Sequence, residues 1–119
     1  MTSMRRSRRG ERAMVTVELA IGFLTVAVLA TCLAGLSLLG VAQATVSESS
    51  AQLARQAARA DEVALREARA RAPEGAVIDV RRGSDGVTAT VTMAVAVPAL
   101  GPVEVAATSW AAYEPGAGP

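Results

Sequence analysis

The sequence predicts an α+β chain. A long N-terminal helix, transmembrane in its first half and amphipathic in its second, is followed by a small three-stranded antiparallel sheet. Three observations predict it. Residues 19–42 carry no ionisable side chain except Cys32. Residues 47–72 are rich in Ala, Arg and Glu and hold neither Gly nor Pro. Residues 73–113 alternate apolar and polar positions between turns rich in Gly and Pro.

Composition bounds the rest. The 119 residues are 51% hydrophobic but only 3% aromatic, so the apolar content is mostly Ala and Val, much of it in one run. A chain of this length supports one small domain. A single Cys excludes an internal disulfide, and the lack of His excludes imidazole acid–base chemistry and a Cys/His zinc site. There is no Gly-rich phosphate loop, nucleophile elbow or metal-ligand cluster. Asp79 and Asp85, which flank a turn, read as surface residues. The expectation is a protein that is not an enzyme, with no cofactor, no metal and no small-molecule substrate.

The first element is a basic leader, residues 1–13, with Arg5, Arg6, Arg8, Arg9 and Arg12 offset only by Glu11. Next comes the transmembrane helix, residues 14–46. A helix needs about 20 apolar residues to cross about 30 Å of hydrocarbon, and the run 19–42 meets this. The remaining chain is too small to wrap such a rod as a buried core helix. No basic residue follows the run until Arg55, so the excess of Arg before it places the N-terminus in the cytoplasm and the C-terminal part outside. The lipid bilayer is thus the first expected partner.

A removable signal peptide shares this outline. The run is longer than a signal peptide's apolar region, and Glu18 stands at its start. Ala42-Gln43-Ala44 does have the small-residue spacing of a signal-peptidase site, which keeps a secreted product as an alternative. Ser7-Arg8-Arg9 is not continued as a twin-arginine signal. Cys32 is followed by more apolar residues, unlike a lipoprotein cysteine, and reads as a small apolar residue of the span. Within the span, Ala27, Thr31 and Gly35 recur every four residues, a spacing that lets helices approach closely.

The amphipathic helix, residues 47–72, places Val46, Leu53, Ala57, Ala60, Ala64 and Ala68 on one narrow stripe. Arg55, Arg59, Glu62, Arg66 and Arg69 gather opposite. Asp61, Glu62 and Glu67 interleave with the arginines, which argues against nucleic acid as a partner. One nearly continuous helix over residues 14–72 would be about 88 Å long, with Ser47-Glu48-Ser49-Ser50 the expected place for a kink.

Pro73-Glu74-Gly75 ends the helix. Strands are predicted at 76–82, 87–97 and 103–113. Gly83-Ser84-Asp85-Gly86 joins the first two, and the second break runs from Pro98 to Pro102. Val87, Ala89, Val91, Met93, Val95 and Val97 form one face of the middle strand and should pack on the helical stripe. Residues 114–119 are predicted to fray.

Glu18 is the most informative single residue. An acid is costly at the centre of a membrane helix and less so near its edge, where the N-terminal helix dipole favours it. Basic leader, small residue, Met14-Val15-Thr16-Val17-Glu18-Leu19-Ala20 and a long apolar helix are together similar to the N-terminus of type IV pilin-like proteins. The short chain and its Val-Thr-Val-Glu-Leu-Ala segment resemble the TadE-like minor pilins of tight-adherence (Flp-type) pilus systems. The resemblance implies cleavage by a prepilin peptidase between Ala13 and Met14, which makes Glu18 the fifth residue of the mature chain. The family usually has Gly before the cut; here that position is Ala13, and Gly10 lies three residues too early. The resemblance further implies that the freed Met14 amine offsets Glu18 one turn away, or pairs with Glu18 of a neighbouring pilin or assembly subunit and sets their register. The expected function is a membrane-anchored minor pilin or pilus-assembly factor. The alternatives are a small secreted β-rich protein and an unprocessed single-pass protein whose outer domain binds a partner protein.

Overall fold

A computed structural model describes the backbone of residues 2–119 and the side chains from Ser7 onward. The side chains of Arg5 and Arg6, counted in the basic leader, lie outside the described residues. Five elements follow in order: α1 (Thr2–Ala58), α2 (Glu62–Arg71), β1 (Val77–Arg82), β2 (Gly86–Val97) and β3 (Gly101–Ala112). This is the α+β architecture expected, a long N-terminal helix followed by a three-stranded antiparallel sheet of order β1-β2-β3. The chain divides into two units, Met1–Ala34 and Gly35–Pro119.

The first unit is α1 up to Ala34. From Thr2 on the leader is helical as well, so α1 begins well before Met14. Every described side chain from Ser7 to Ala34 is exposed, including Met14 at 75%, Leu19 at 73% and Phe23 at 77%. The hydroxyls of Thr16, Thr25 and Thr31 each donate to the carbonyl one turn back, of Arg12, Ile21 and Ala27, at 2.9 Å. This satisfies them within the helix, as an apolar solvent demands.

In the second unit the rest of α1 carries a sheet on one face. Gly35, Ala42, Val46, Ser50, Leu53 and Ala57 are buried at helical spacing, with Leu39 partly buried among them. From the sheet, Val87, Ala89 and Val91 meet this stripe at 0% exposure, joined by Val105. The alternation predicted for β2 is thus realised. The outer sheet face carries Thr88, Thr90, Thr92, Thr108 and Trp110, with Thr90 and Thr108 joined hydroxyl to hydroxyl at 3.0 Å.

The helix does not kink at residues 47–50. Ser50 is fully buried there, its Oγ 2.9 Å from the Ser47 carbonyl and 2.8 Å from Ser109 Oγ of β3. A serine with both bonding directions satisfied need not disturb a helix. The interruption falls instead at residues 59–61, so the single helix predicted over 14–72 is two. Ala60 adopts a left-handed φ of 56°. The N–H groups of Ala60 and Asp61 bond the carbonyls of Ala57 (3.1 Å) and Gln56 (3.3 Å). This is the Schellman ending, with Ala where Gly is usual. Asp61 then caps α2, its Oδ1 accepting from the Ala64 N–H at 3.0 Å.

The break resets the helical phase. Ala60, placed on the apolar stripe by an unbroken period, is exposed, and Ala64 is half-buried. Leu65 and Ala68 are the buried residues of α2.

Two features close the sheet. Tyr113 donates from its hydroxyl to the Gly83 carbonyl at 2.9 Å, pinning the β1–β2 turn. Gly86 lies so close to β3 that a Cβ there would stand 2.4 Å from the Ala111 carbonyl oxygen and 2.7 Å from the Trp110 ring. Glu114, placed by sequence in the frayed tail, is tied back to the end of α1. Its carboxylate accepts from Arg59 Nε at 2.7 Å, and its N–H bonds the Ala58 carbonyl at 3.4 Å.

Candidate functional site

The residues singled out by sequence divide between the two units. In the first, Ala13 and Met14 sit side by side in α1 with exposed side chains. The peptide bond between them is therefore helical, and a protease that binds extended chain would first have to unwind it. The shallow surface spanning it is lined by Arg8, Glu11 and Arg12 on one side and Val15 and Thr16 on the other. Charged groups thus run up to this bond, and the uncharged run begins just after Glu18.

Glu18 shares a helical stripe with Val15, Leu19, Gly22 and Val26, which with Phe23 line a shallow apolar groove. Gly22, one turn beyond Glu18, has nothing within 4 Å of where its Cβ would be, so the helix surface is notched next to the acid. Glu18 is exposed, and no ion pair of the described residues includes it. A lone carboxylate beside a notch on an apolar face has the chemistry to accept from a cation or an amine supplied by another chain.

The packing residues are used differently. Ala27 and Thr31 are exposed in the first unit. Gly35 is buried in the second, where Val97 Cγ1 lies 3.0 Å from the position a Gly35 Cβ would take. The small residue at 35 therefore serves the chain's own sheet. Leu53 and Ala57 likewise lie in the core beneath the sheet. Cys32 is free and exposed, and no group of His, Cys, Asp or Glu gathers as a metal site among the described residues.

Sequence reasoning missed the polar ties between helix and sheet. Besides Ser50–Ser109, Gln43 Nε2 donates to the Ala106 carbonyl at 3.3 Å, and Arg82 reaches Glu62 at 3.2 Å. Ser50 was findable: it falls three residues before Leu53 and four after Val46, on the apolar stripe. The four ion pairs of the described residues are substantially solvent-exposed, so each contributes little to stability.

The α1 helix is long and apolar enough to fit a single membrane span, and it lies near the N-terminus. No protein-family model matches the chain, and neither does any curated protein or solved structure.

Proposed function

We propose that the chain is a membrane-anchored pilin-like protein, a minor pilin or assembly factor of a Tad/Flp-type pilus, and not an enzyme. In this reading the N-terminus is cytoplasmic, the sheet domain is extracytoplasmic, and a prepilin peptidase cuts between Ala13 and Met14. Glu18 then meets the new Met14 amine of its own or a neighbouring subunit, and the apolar helix face packs in the membrane or in a filament. The observation that carries the reading is Glu18 itself. It is a single exposed acid set in a notched apolar stripe at the head of a bare helix, which runs on into a second unit where a small sheet covers one face.

The fold also favours anchoring over release. A signal-peptidase cut after Ala44 would remove Gly35, Leu39 and Ala42, all of which pack into the second unit.

The test is N-terminal mass spectrometry of the protein from its native membrane, beside a Glu18→Ala variant. A mature N-terminus at Met14, with Glu18→Ala processed but left out of filaments or assembly complexes, is the expected result. An intact N-terminus removes the processed-pilin mechanism, and a cut near Ala44 replaces it with a secreted domain.

A further inference from the structure

The turn between β2 and β3 is unlike an ordinary exposed hairpin. Surface hairpins favour Asn, Asp and Gly; this one reads Pro98-Ala99-Leu100-Gly101-Pro102. All five residues are exposed, Leu100 at 75%. Ala99 takes a left-handed φ of 69°, a conformation that Asn or Gly adopts more cheaply. The tip is thus apolar even where a polar residue would suit the backbone better. Around it the chain carries no charge from Gly86 to Val103; Asp85 and Glu104 are the nearest ionisable residues on either side.

The position of this tip gives its composition a meaning. Val97, at the base of the turn, is 5% exposed and packs on Gly35. Gly35 belongs to the uncharged run 19–42, seven residues before its end, or about 10 Å along the helix. Over that stretch Leu36, Leu38 and Val41 are exposed at 66%, 44% and 68%, while Leu39 and Ala42 turn toward the sheet. The same two turns of helix therefore offer apolar side chains outward on one face and hold the hairpin on the other.

We propose that the β2–β3 tip is a lipid contact, seated in the boundary between headgroups and acyl chains on the C-terminal side of the span. The backbone suits that medium, where an unpartnered N–H is costly. Pro98 and Pro102 have no N–H, and that of Leu100 bonds the Val97 carbonyl at 3.1 Å; the exposed Ala99 N–H is left to the headgroups and their water. Glu104 sets the depth. It lies three residues beyond Gly101, about 10 Å along the strand, so its exposed carboxylate stays among the headgroups while Leu100 reaches the first methylenes. The inference rests on residues 19–42 being a membrane span, and it adds that the sheet domain is seated on the bilayer and not held above it.

The test uses the full chain in liposomes of phosphatidylethanolamine and phosphatidylglycerol, with bromine placed near the glycerol end or near the methyl end of the acyl chains. The native Trp110 pairs with Thr88, nine residues from the hairpin base and about 30 Å away, and serves as the distant reference. In a Trp110→Phe background, Leu100→Trp reports on the tip and Phe23→Trp on the span. The expected result is a blue-shifted Leu100→Trp emission that is lost mainly to bromine near the glycerol end. Phe23→Trp should be quenched within the chains and native Trp110 untouched. If Phe23→Trp is quenched and Leu100→Trp is not, the span stands and the lipid contact is refuted. If neither is quenched, the span reading falls and the inference with it. If native Trp110 is quenched as well, the sheet lies flat on the membrane and tip seating is refuted. Should Trp110→Phe disturb the fold, a nitroxide on Leu100→Cys in a Cys32→Ser background gives the same answer. Higher collision with oxygen than with a water-soluble nickel chelate supports the contact, and the reverse overturns it.

Discussion

Replacing Gly86 with Ala adds one methyl group where the fold has no room for it. The new Cβ would stand 2.4 Å from the Ala111 carbonyl oxygen and 2.7 Å from Trp110 Cε2 and Cζ2, whereas ordinary contact begins near 3.4 Å. The carbonyl would have to retreat by about 1 Å. It sits in β3 opposite Val87, a fully buried core residue, so the retreat strains the ladder at its best-packed end. Overpacking costs about 1–3 kcal/mol, and a backbone obstacle puts this case toward the top of that range. The smaller entropy of an unfolded Ala returns about 0.5–1 kcal/mol. The net is a loss of about 2 kcal/mol, a reduction of roughly 30-fold in the ratio of folded to unfolded chain. Urea unfolding of the full chain in detergent micelles, followed by Trp110 fluorescence and far-ultraviolet circular dichroism, measures it. Gly83→Ala is the comparison, because its Cβ would meet only the Gly86 carbonyl at 3.4 Å, and it should keep the entropic gain alone, a stabilisation of about 0.5–1 kcal/mol. A Gly86→Ala midpoint equal to that of Gly83→Ala, with an unaltered Trp110 spectrum, would refute the close approach of β3 to Gly86.

Other perturbations test the helix break and the buried hydroxyl pair. Ala60→Gly relieves the left-handed Ala and should stabilise the second unit by roughly 0.5–1 kcal/mol, seen as a higher urea midpoint. Asp61→Ala removes the α2 cap and should cost about 1 kcal/mol in the same titration. Ser50→Ala leaves Ser109 without its 2.8 Å partner and should cost about 1–2 kcal/mol; adding Ser109→Ala should recover much of the loss, and purely additive losses would count against the pair.

The fold was legible because its signals are repetitive. An uncharged run, an Ala-rich stretch and an alternating strand each report the same state many times over, so β2 was placed within one residue of Gly86–Val97. The break between α1 and α2 was less legible because it rests on one residue. No Gly or Pro marks it, and Ala60 takes the left-handed role only because Asp61 and the core on either side fix the two helices. The sole cue was Asp61 itself, an N-cap residue before Glu62 and an apolar position. Extending the helical period across the break then misplaced Ala60 by one face. Ser50 was misread for a related reason: serine disfavours helix interiors until a partner such as Ser109 arrives from elsewhere in the chain. At the candidate site, the position and isolation of Glu18 follow from sequence. Its task does not, because the group that would answer its charge belongs to a processed terminus or another molecule.

The ties between helix and sheet also govern when the domain is able to form. Gln43 with Ala106 and Ser50 with Ser109 join α1 to β3, and Arg59 with Glu114 joins the residues just beyond them, 63, 59 and 55 apart in sequence. A ribosome completes α1 before any strand exists, so for that interval the face bearing Val46, Leu53 and Ala57 has nothing of its own to cover it. Closure then waits for the last strand, a slow and non-local step. Until it arrives, the uncovered helix face is open to a strand from another copy, which is the interval in which strand exchange competes with closure.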